Sequence, residues 1–275
     1  MSEESEPETV WARPQRATRG PAAGRSRDEL AAAAVELADR EGLDAVSMRQ
    51  VAKALGTGQA SLYRYIAGRD DLLDLMTDAV AREVALDVPL QGDPVDDLVA
   101  LAERTRAVQL RHPWLLDVPP EPLRLGPHGL DHLEYTLRAM EPVPLPGRAK
   151  LEIVGLTNAL ITQLVRAELQ GSTGGFARTS GTGGGGSGHR ASRGSAAKTG
   201  TSTAERHAAD RRAAQAIYLN RAAAEGDRPL IAAALADQPE AELAQDPEEL
   251  FRRTVRRMLT GLLGTGHHPG AENAP

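Results

Sequence analysis

The stretch from Ser47 to Arg69, SMRQVAKALGTGQASLYRYIAGR, limits the fold more tightly than any other part of the chain. Two short helical segments are split by Gly56-Thr57-Gly58, a run that punctuates rather than continues a helix. The stretch holds Arg49, Lys53, Arg64 and Arg69 and no acid, although the 275-residue chain has a formal charge of -6. A compact, locally basic helix-turn-helix inside an acidic chain is the footprint of a unit that reads nucleic acid. The acidic total argues against nonspecific coating of DNA, which needs a basic surface overall. It leaves room for contact through one small face.

Local signals frame this unit. Ser26 with Glu29 forms a capping box that starts a helix, and Leu30, Ala33, Ala34, Leu37 and Ala38 give that helix one apolar stripe. Gly42 stops it. Ser47 with Gln50 forms a second box, flanked by Val46 and Val51 as a hydrophobic staple. Val51, Leu55, Leu62 and Ile66 are expected to point inward, which leaves Gln59, Ala60, Ser61, Tyr63 and Arg64 on the outer face of the second short helix. An amide for adenine, a methyl for thymine and a guanidinium for guanine or phosphate are the groups a recognition helix needs. Gly58 is a weaker N-cap than serine by a few tenths of a kcal/mol.

From Ser26 to Val80 the chain resembles the DNA-binding domain of TetR-type transcriptional repressors. The resemblance is carried by Gly42, Leu43, Ser47, Met48, Arg49, Val51, Ala52, Leu55 and Gly56, by Ser61-Leu62-Tyr63-Arg64-Tyr65-Ile66, and by Arg69 with Leu72-Leu73. It implies that Gln59, Ala60, Ser61 and Arg64 face the major groove. It also implies that Met48, Arg49, Tyr63, Tyr65 and Arg69 lie against phosphate or the groove edge. Gly58, where serine is usual, and Ile66, where an aromatic is common, depart from the family pattern and soften the recognition helix.

The rest reads as support for this head. Alanine, leucine, arginine and glutamate dominate and aromatic content is 3%, so an all-α chain is expected. Residues 1–23 read as a disordered polar arm, with Arg13, Arg16 and Arg19 among Pro and Gly; a basic arm in an adjacent minor groove is the other reading. The DNA-binding domain is expected over 24–84, with the helix-turn-helix at 47–66, and Asp70, Asp71 and Asp74 suit the start of its last helix by their charge. A body follows over 90–265. Its helix from Arg148 to Leu169 has apolar residues on more than one face. The last helix sets Phe251, Val255, Met258, Leu259 and Leu262 opposite Arg252, Arg253, Arg256 and Arg257, and that arginine face is expected to be solvated. These two helices are the expected homodimer contact. Residues 171–203 are Gly/Ser-rich with few apolar side chains and read as a disordered loop.

Catalytic patterns fail on their context. Gly181-x-Gly183-x-x-Gly186 follows no strand, Lys198-Thr199 lacks the glycine of a phosphate loop, and no Gly-x-Ser-x-Gly occurs. Cysteine is absent, which excludes thiolate chemistry. His128 and His132 stand four apart on a helix without a third ligand, so no metal and no cofactor is expected. No run reaches the ~18 apolar residues of a membrane span, and a cytoplasmic location is expected. The resemblance implies an effector cavity in the body, for which Trp114, His132, Tyr135, Asn158, Thr162 and Gln163 are the candidate lining residues. The expected function is a homodimeric repressor that binds a palindromic operator and is released by a small, largely apolar effector. A regulator without effector, and an all-α enzyme using the body cavity, are the alternatives.

Overall fold

The computed structural model describes residues 9–13, 26–119, 124–170, 228–236 and 246–264, with scattered positions between 210 and 224. The expected Gly/Ser-rich loop at 171–203 lies outside the described residues. Among those described, the fold is helical, with no strand.

Helix α1 (Arg27–Glu41) begins at the Ser26–Glu29 box, both halves of which are made, at 3.1 and 3.2 Å. It ends at Gly42, whose φ of +84° suits a residue without a Cβ. Helix α2 (Met48–Ala54) starts at Ser47, whose hydroxyl accepts from the Gln50 N–H at 3.3 Å. Gly56, at φ +63°, turns the chain into α3 (Gln59–Leu62). Regular α-helix in α3 lasts only one turn; looser bonds carry the chain on to Tyr65 and Ile66. A helix so short has no stability of its own. Leu62 and Ile66, both fully buried, hold it in place against α1 and α4 (Arg69–Ala81).

Helix α5 (Pro94–Arg111) is capped by Asp93, and a 3-10 turn at Pro113–Asp117 leads away from it. Helix α6 (Pro127–Ala139) and α7 (Gly147–Leu169) follow. Two further helices are α8 (Pro229–Ala236) and α9 (Pro247–Leu263). Two compact units emerge, 1–166 with 251–275, and 167–250.

The first unit does not divide at the expected head–body boundary near residues 84–90. Its head core of Leu30, Leu62, Leu72 and Met76 runs on without a break into Leu101, Val108, Trp114 and Tyr135. Charge reinforces this continuity, because the acids of α4 bind the body instead of merely facing solvent at a helix start. Asp74 accepts from Arg124 Nη1 at 2.6 Å. Buried Asp78 accepts from the Gly129 N–H at 3.0 Å and pairs with His128 Nδ1 at 2.8 Å, so a carboxylate of α4 caps the N-terminus of α6.

The N-terminal arm also departs from expectation at residues 9–13. Val10 is fully buried in the head core, and Trp11 packs against it. A Cβ on Gly126 would stand 2.4 Å from both Asp78 and Trp11, so only glycine lets these groups approach α6. Arg13 pairs with Asp71 at 2.6 Å. Two large apolar side chains outweigh the polar composition around them, since each buried one contributes about 1.5–3 kcal/mol.

A second core joins α5, α6, α7 and α9, with Leu98, Met140, Ile153 and Ile161 meeting Phe251, Val255, Leu259 and Leu263. Of the arginines of α9, Arg256 and Arg257 are exposed as expected, while Arg252 and Arg253 are half-buried. Arg252 pairs with Glu103 and Arg256 with Asp96, each at 2.5 Å.

Candidate nucleic-acid interface

The head presents a face made by α2, the glycine turn and α3. Arg49, Lys53, Gln59, Ala60, Tyr63 and Arg64 are exposed on it. Gln59 Nε2 reaches the Tyr63 hydroxyl at 3.4 Å, a long contact that a better partner displaces easily. The Arg64 guanidinium lies 5.9 Å from the centre of the Tyr65 ring, and its Nε donates to the Ser61 carbonyl at 3.4 Å. That aromatic contact holds a long cation in place at modest entropic cost. The face thus carries an amide, a methyl, a phenol and three cations, with no acid between Ala45 and Arg69.

The other residues expected at DNA have partners within the head. Met48 is buried and belongs to the head core. Tyr65 is half-buried against the same core, and its carbonyl accepts from Arg27 Nε at 3.2 Å. The Ser61 hydroxyl donates to the Gly58 carbonyl at 2.7 Å and takes a bond from Thr57 at 2.7 Å, so its hydrogen is already committed. Arg69 points its fork at the loop before α2, with Nη1 on the Val46 carbonyl and Nη2 on the Leu43 carbonyl. Its position at the start of α4 agrees with the motif, but its two hydrogen bonds make it a brace between head elements. Lys53 is exposed on the same face without being an expected contact, and Thr57 is bonded to Ser61 behind it. Lys53 is marked by its place one turn after Arg49 on the same helix, whereas nothing in the sequence shows how Thr57 is bonded.

Behind this face, the end of α5 is clasped to the head. Buried His112 sets Nδ1 2.7 Å from Asp39 of α1 and Nε2 3.1 Å from Glu83, just past α4. Trp114 Nε1 donates to the same Asp39 oxygen at 2.7 Å, and Arg111 pairs with Glu83 at 2.7 Å. Burial alone would raise the Glu83 carboxyl; hydrogen bonds and charge from Arg111 and His112 outweigh it and hold the group below its ordinary value. Trp114, expected in a cavity, is therefore part of this clasp.

A small cavity, about 20 Å³ and so room for one water, lies between α5, α6 and α7. Of the residues expected to line it, His132 and Asn158 do. Thr162 lies one residue past the lining and accepts from Gln109 Nε2 at 3.4 Å. Tyr135 donates to the Val88 carbonyl at 2.8 Å and braces the head–body connection, while Gln163 is exposed. Burial, and then the charge of Arg104, lower the His132 pKa. Among the described residues, no group of three His, Asp or Glu side chains is arranged to hold a metal ion.

Comparison with known proteins decides the family. Residues 30–76 match the model for bacterial regulatory proteins of the tetR family. Residues 88–265, well over half of the chain, match the model of the tetracyclin repressor-like C-terminal domain. The chain belongs to the TetR family. It is similar to the HTH-type transcriptional repressor DrrR1 of Streptomyces coeruleorubidus, with 38% identity over 163 residues, 59% of this chain and 60% of that protein. An HTH-type transcriptional regulator of Saccharopolyspora erythraea is 36% identical over 154 residues, 55% of this chain and 64% of that one. The similarity thus spans somewhat less than two thirds of the length of these curated relatives. Among solved structures, ActR of Streptomyces coelicolor in complex with actinorhodin superposes at a TM-score of 0.62. There the sequence identity is 24%, with 90% of this chain and all of ActR covered, which supports the shared TetR fold. The relatives compared are regulators rather than enzymes, and among the described residues no helix is long and apolar enough to cross a membrane.

Proposed function

We propose that this TetR-family chain is a transcriptional repressor that binds a palindromic operator as a homodimer and leaves it when a small, largely apolar effector occupies the body. The observation that carries the reading is the acid-free outward face of Gln59, Ala60, Tyr63 and Arg64, flanked by Arg49 and Lys53. Each subunit would set α3 into one major groove, with half-sites about one helical turn apart or slightly more. Exposed Leu151 and Leu156 on α7, with Ile153, Thr157 and Ile161 buried on its opposite side, support dimer formation through that helix.

The connection between cavity and head supports the switch. His132 lines the cavity one turn along α6 from His128, and α6 is capped by Asp78 of α4. An effector that parts α5, α6 and α7 would pull on α4 and so move α3. To take occupancy from nearly full to nearly empty, it must prefer the released state by about 5.5 kcal/mol. ActR, a structural relative, has been seen with actinorhodin and with (S)-DNPA. The narrowness of the cavity favours a second reading, a regulator that binds DNA without any effector.

Selection of bound sequences from a random duplex library tests the first claim. The expected product is an inverted repeat, whereas a pool without a shared sequence would refute operator recognition. Release of the selected duplex by one class among small apolar compounds then separates the two readings.

A further inference from the structure

Residues 9–13 precede the first helix, yet they are fixed at both ends. The Ala12 N–H donates to the Thr9 carbonyl at 3.1 Å, which closes a turn. Val10 is fully buried in the head core. Trp11 lies beside Gly126, the N-cap of α6, so close that a Cβ there would stand 2.4 Å from its ring. At the other end Arg13 is held twice. Its side chain pairs with Asp71 at 2.6 Å, and its carbonyl accepts from Arg27 Nη2 at 3.0 Å.

The two groups that hold Arg13 also hold the end of α3. Arg27 Nε donates to the Tyr65 carbonyl at 3.2 Å, and the other carboxylate oxygen of Asp71 accepts from the Ala67 N–H. Carbonyls at the end of a helix have no partner within it, so a guanidinium there serves as a cap. Helix α3 is one turn long and supplies little stability itself. Local chemistry does not account for Arg27, because a cation in the first turn of α1 opposes the helix dipole. Burial, and then the charge of Arg13, also lower its pKa, with Asp71 acting the other way. What the site uses is the fork of an arginine, one nitrogen for each of two carbonyls on different segments.

Together the two ends make a route from the body to the DNA-reading face. A shift of α6 displaces Trp11 at Gly126. Two residues on, Arg13 passes the displacement through Arg27 to Tyr65, the neighbour of outward-facing Arg64. This route runs beside the Asp78 cap on α6, which reaches α3 only by way of α4. On the operator-binding reading given above, we propose that residues 9–13 are a strap and Arg27 a positioning residue, which together hold α3 in its DNA-reading pose and carry movements of α6 to it.

Hydrogen–deuterium exchange of the intact protein without DNA tests this, read on a peptide covering residues 59–68 and on control peptides from α5 and α7. Arg27→Gln should raise exchange of the 59–68 amides about tenfold. Arg27→Lys keeps the charge but loses the fork, so it should do nearly the same. Trp11→Ala, at the far end of the strap, should raise exchange of the same peptide about threefold. Circular dichroism melts check that each variant is folded, and Trp11→Leu, a milder cut, replaces Trp11→Ala if that protein is not. Unchanged 59–68 exchange in Arg27→Gln would overturn the positioning role, and unchanged exchange on cutting Trp11 would overturn the strap. An equal rise in the α5 and α7 peptides would overturn both, because it would mark a general loss of stability. With DNA, the Trp11 variant should lose about threefold in its preference for the selected operator over random duplex, at an unchanged salt slope. An unchanged preference would break the link to DNA reading. The exchange measurement contains no DNA, so a natural chain without operator preference would refute the repressor reading and not the strap.

Discussion

Arg69 distinguishes a brace from a phosphate contact. Both of its terminal nitrogens are engaged, on the carbonyls of Val46 and Leu43, and so tie the start of α4 to the loop that launches α2. In Arg69→Ala these carbonyls lose a charged donor. A hydrogen bond to a charged group contributes about 1.5–3 kcal/mol. The side chain is exposed and water can replace part of each bond, so the pair together is expected to contribute about 2 kcal/mol. For a chain of this size that corresponds to a fall of roughly 4–8 °C in melting temperature. DNA affinity should fall by a similar factor on every sequence as the head loosens, but the dependence of log affinity on log salt should keep its slope. Arg49→Ala is the opposite case: it should leave melting almost unchanged and reduce the slope by about 1. Differential scanning calorimetry and fluorescence anisotropy at four salt concentrations measure both quantities. An Arg69→Ala protein that melts normally while its slope drops by one would refute the brace and make Arg69 a phosphate ligand.

Three further outcomes follow from residues on either side of the head. Arg64→Ala should cost about 1–3 kcal/mol on the selected operator and much less on random duplex, measured by anisotropy competition. His112→Ala leaves Asp39 and Glu83 without their shared partner. It should destabilise by about 3 kcal/mol in urea unfolding, whereas an exposed ion pair such as Arg138–Glu134, cut by Glu134→Gln, should cost under 1 kcal/mol. Glu83 has a carboxyl pKa below its ordinary value in the folded chain, so its contribution is present above the unfolded value of 4.5 and is lost as pH falls through the folded one. Urea midpoints between pH 6 and pH 3 should therefore fall less steeply in Glu83→Gln than in the natural chain; parallel curves would contradict this.

What was legible in the sequence was set by local chemistry. Ser26, Gly42 and Ser47 mark their boundaries because a cap and its partner lie within four residues of each other, and the outward face of α3 follows from which positions are apolar. Tertiary partners left no such mark. Met48 and Arg69 occupy motif positions associated with DNA, yet the packing of α1 and the loop carbonyls claims them. Val10 and Trp11 stand in a polar, proline-bearing arm, yet the head core takes up Val10 and Trp11 lies beside Gly126. Asp74 reads as a dipole partner, and Asp78 draws no reading, because Arg124, His128 and Gly129 are fifty or more positions away from them in the chain. In the cavity, polarity beside apolar neighbours was too coarse a criterion. Asn158 and Gln163 share that pattern, but five residues turn a helix by about 140° past a full turn, so only the first faces α5 and α6.

The most direct test of the account is the affinity of the purified protein for the DNA upstream of its own gene, measured by anisotropy against a scrambled duplex of equal length at 150 mM salt. Recognition through the Gln59–Arg64 face predicts a preference of at least about a thousandfold for the upstream DNA. Equal affinity for the two duplexes would contradict it.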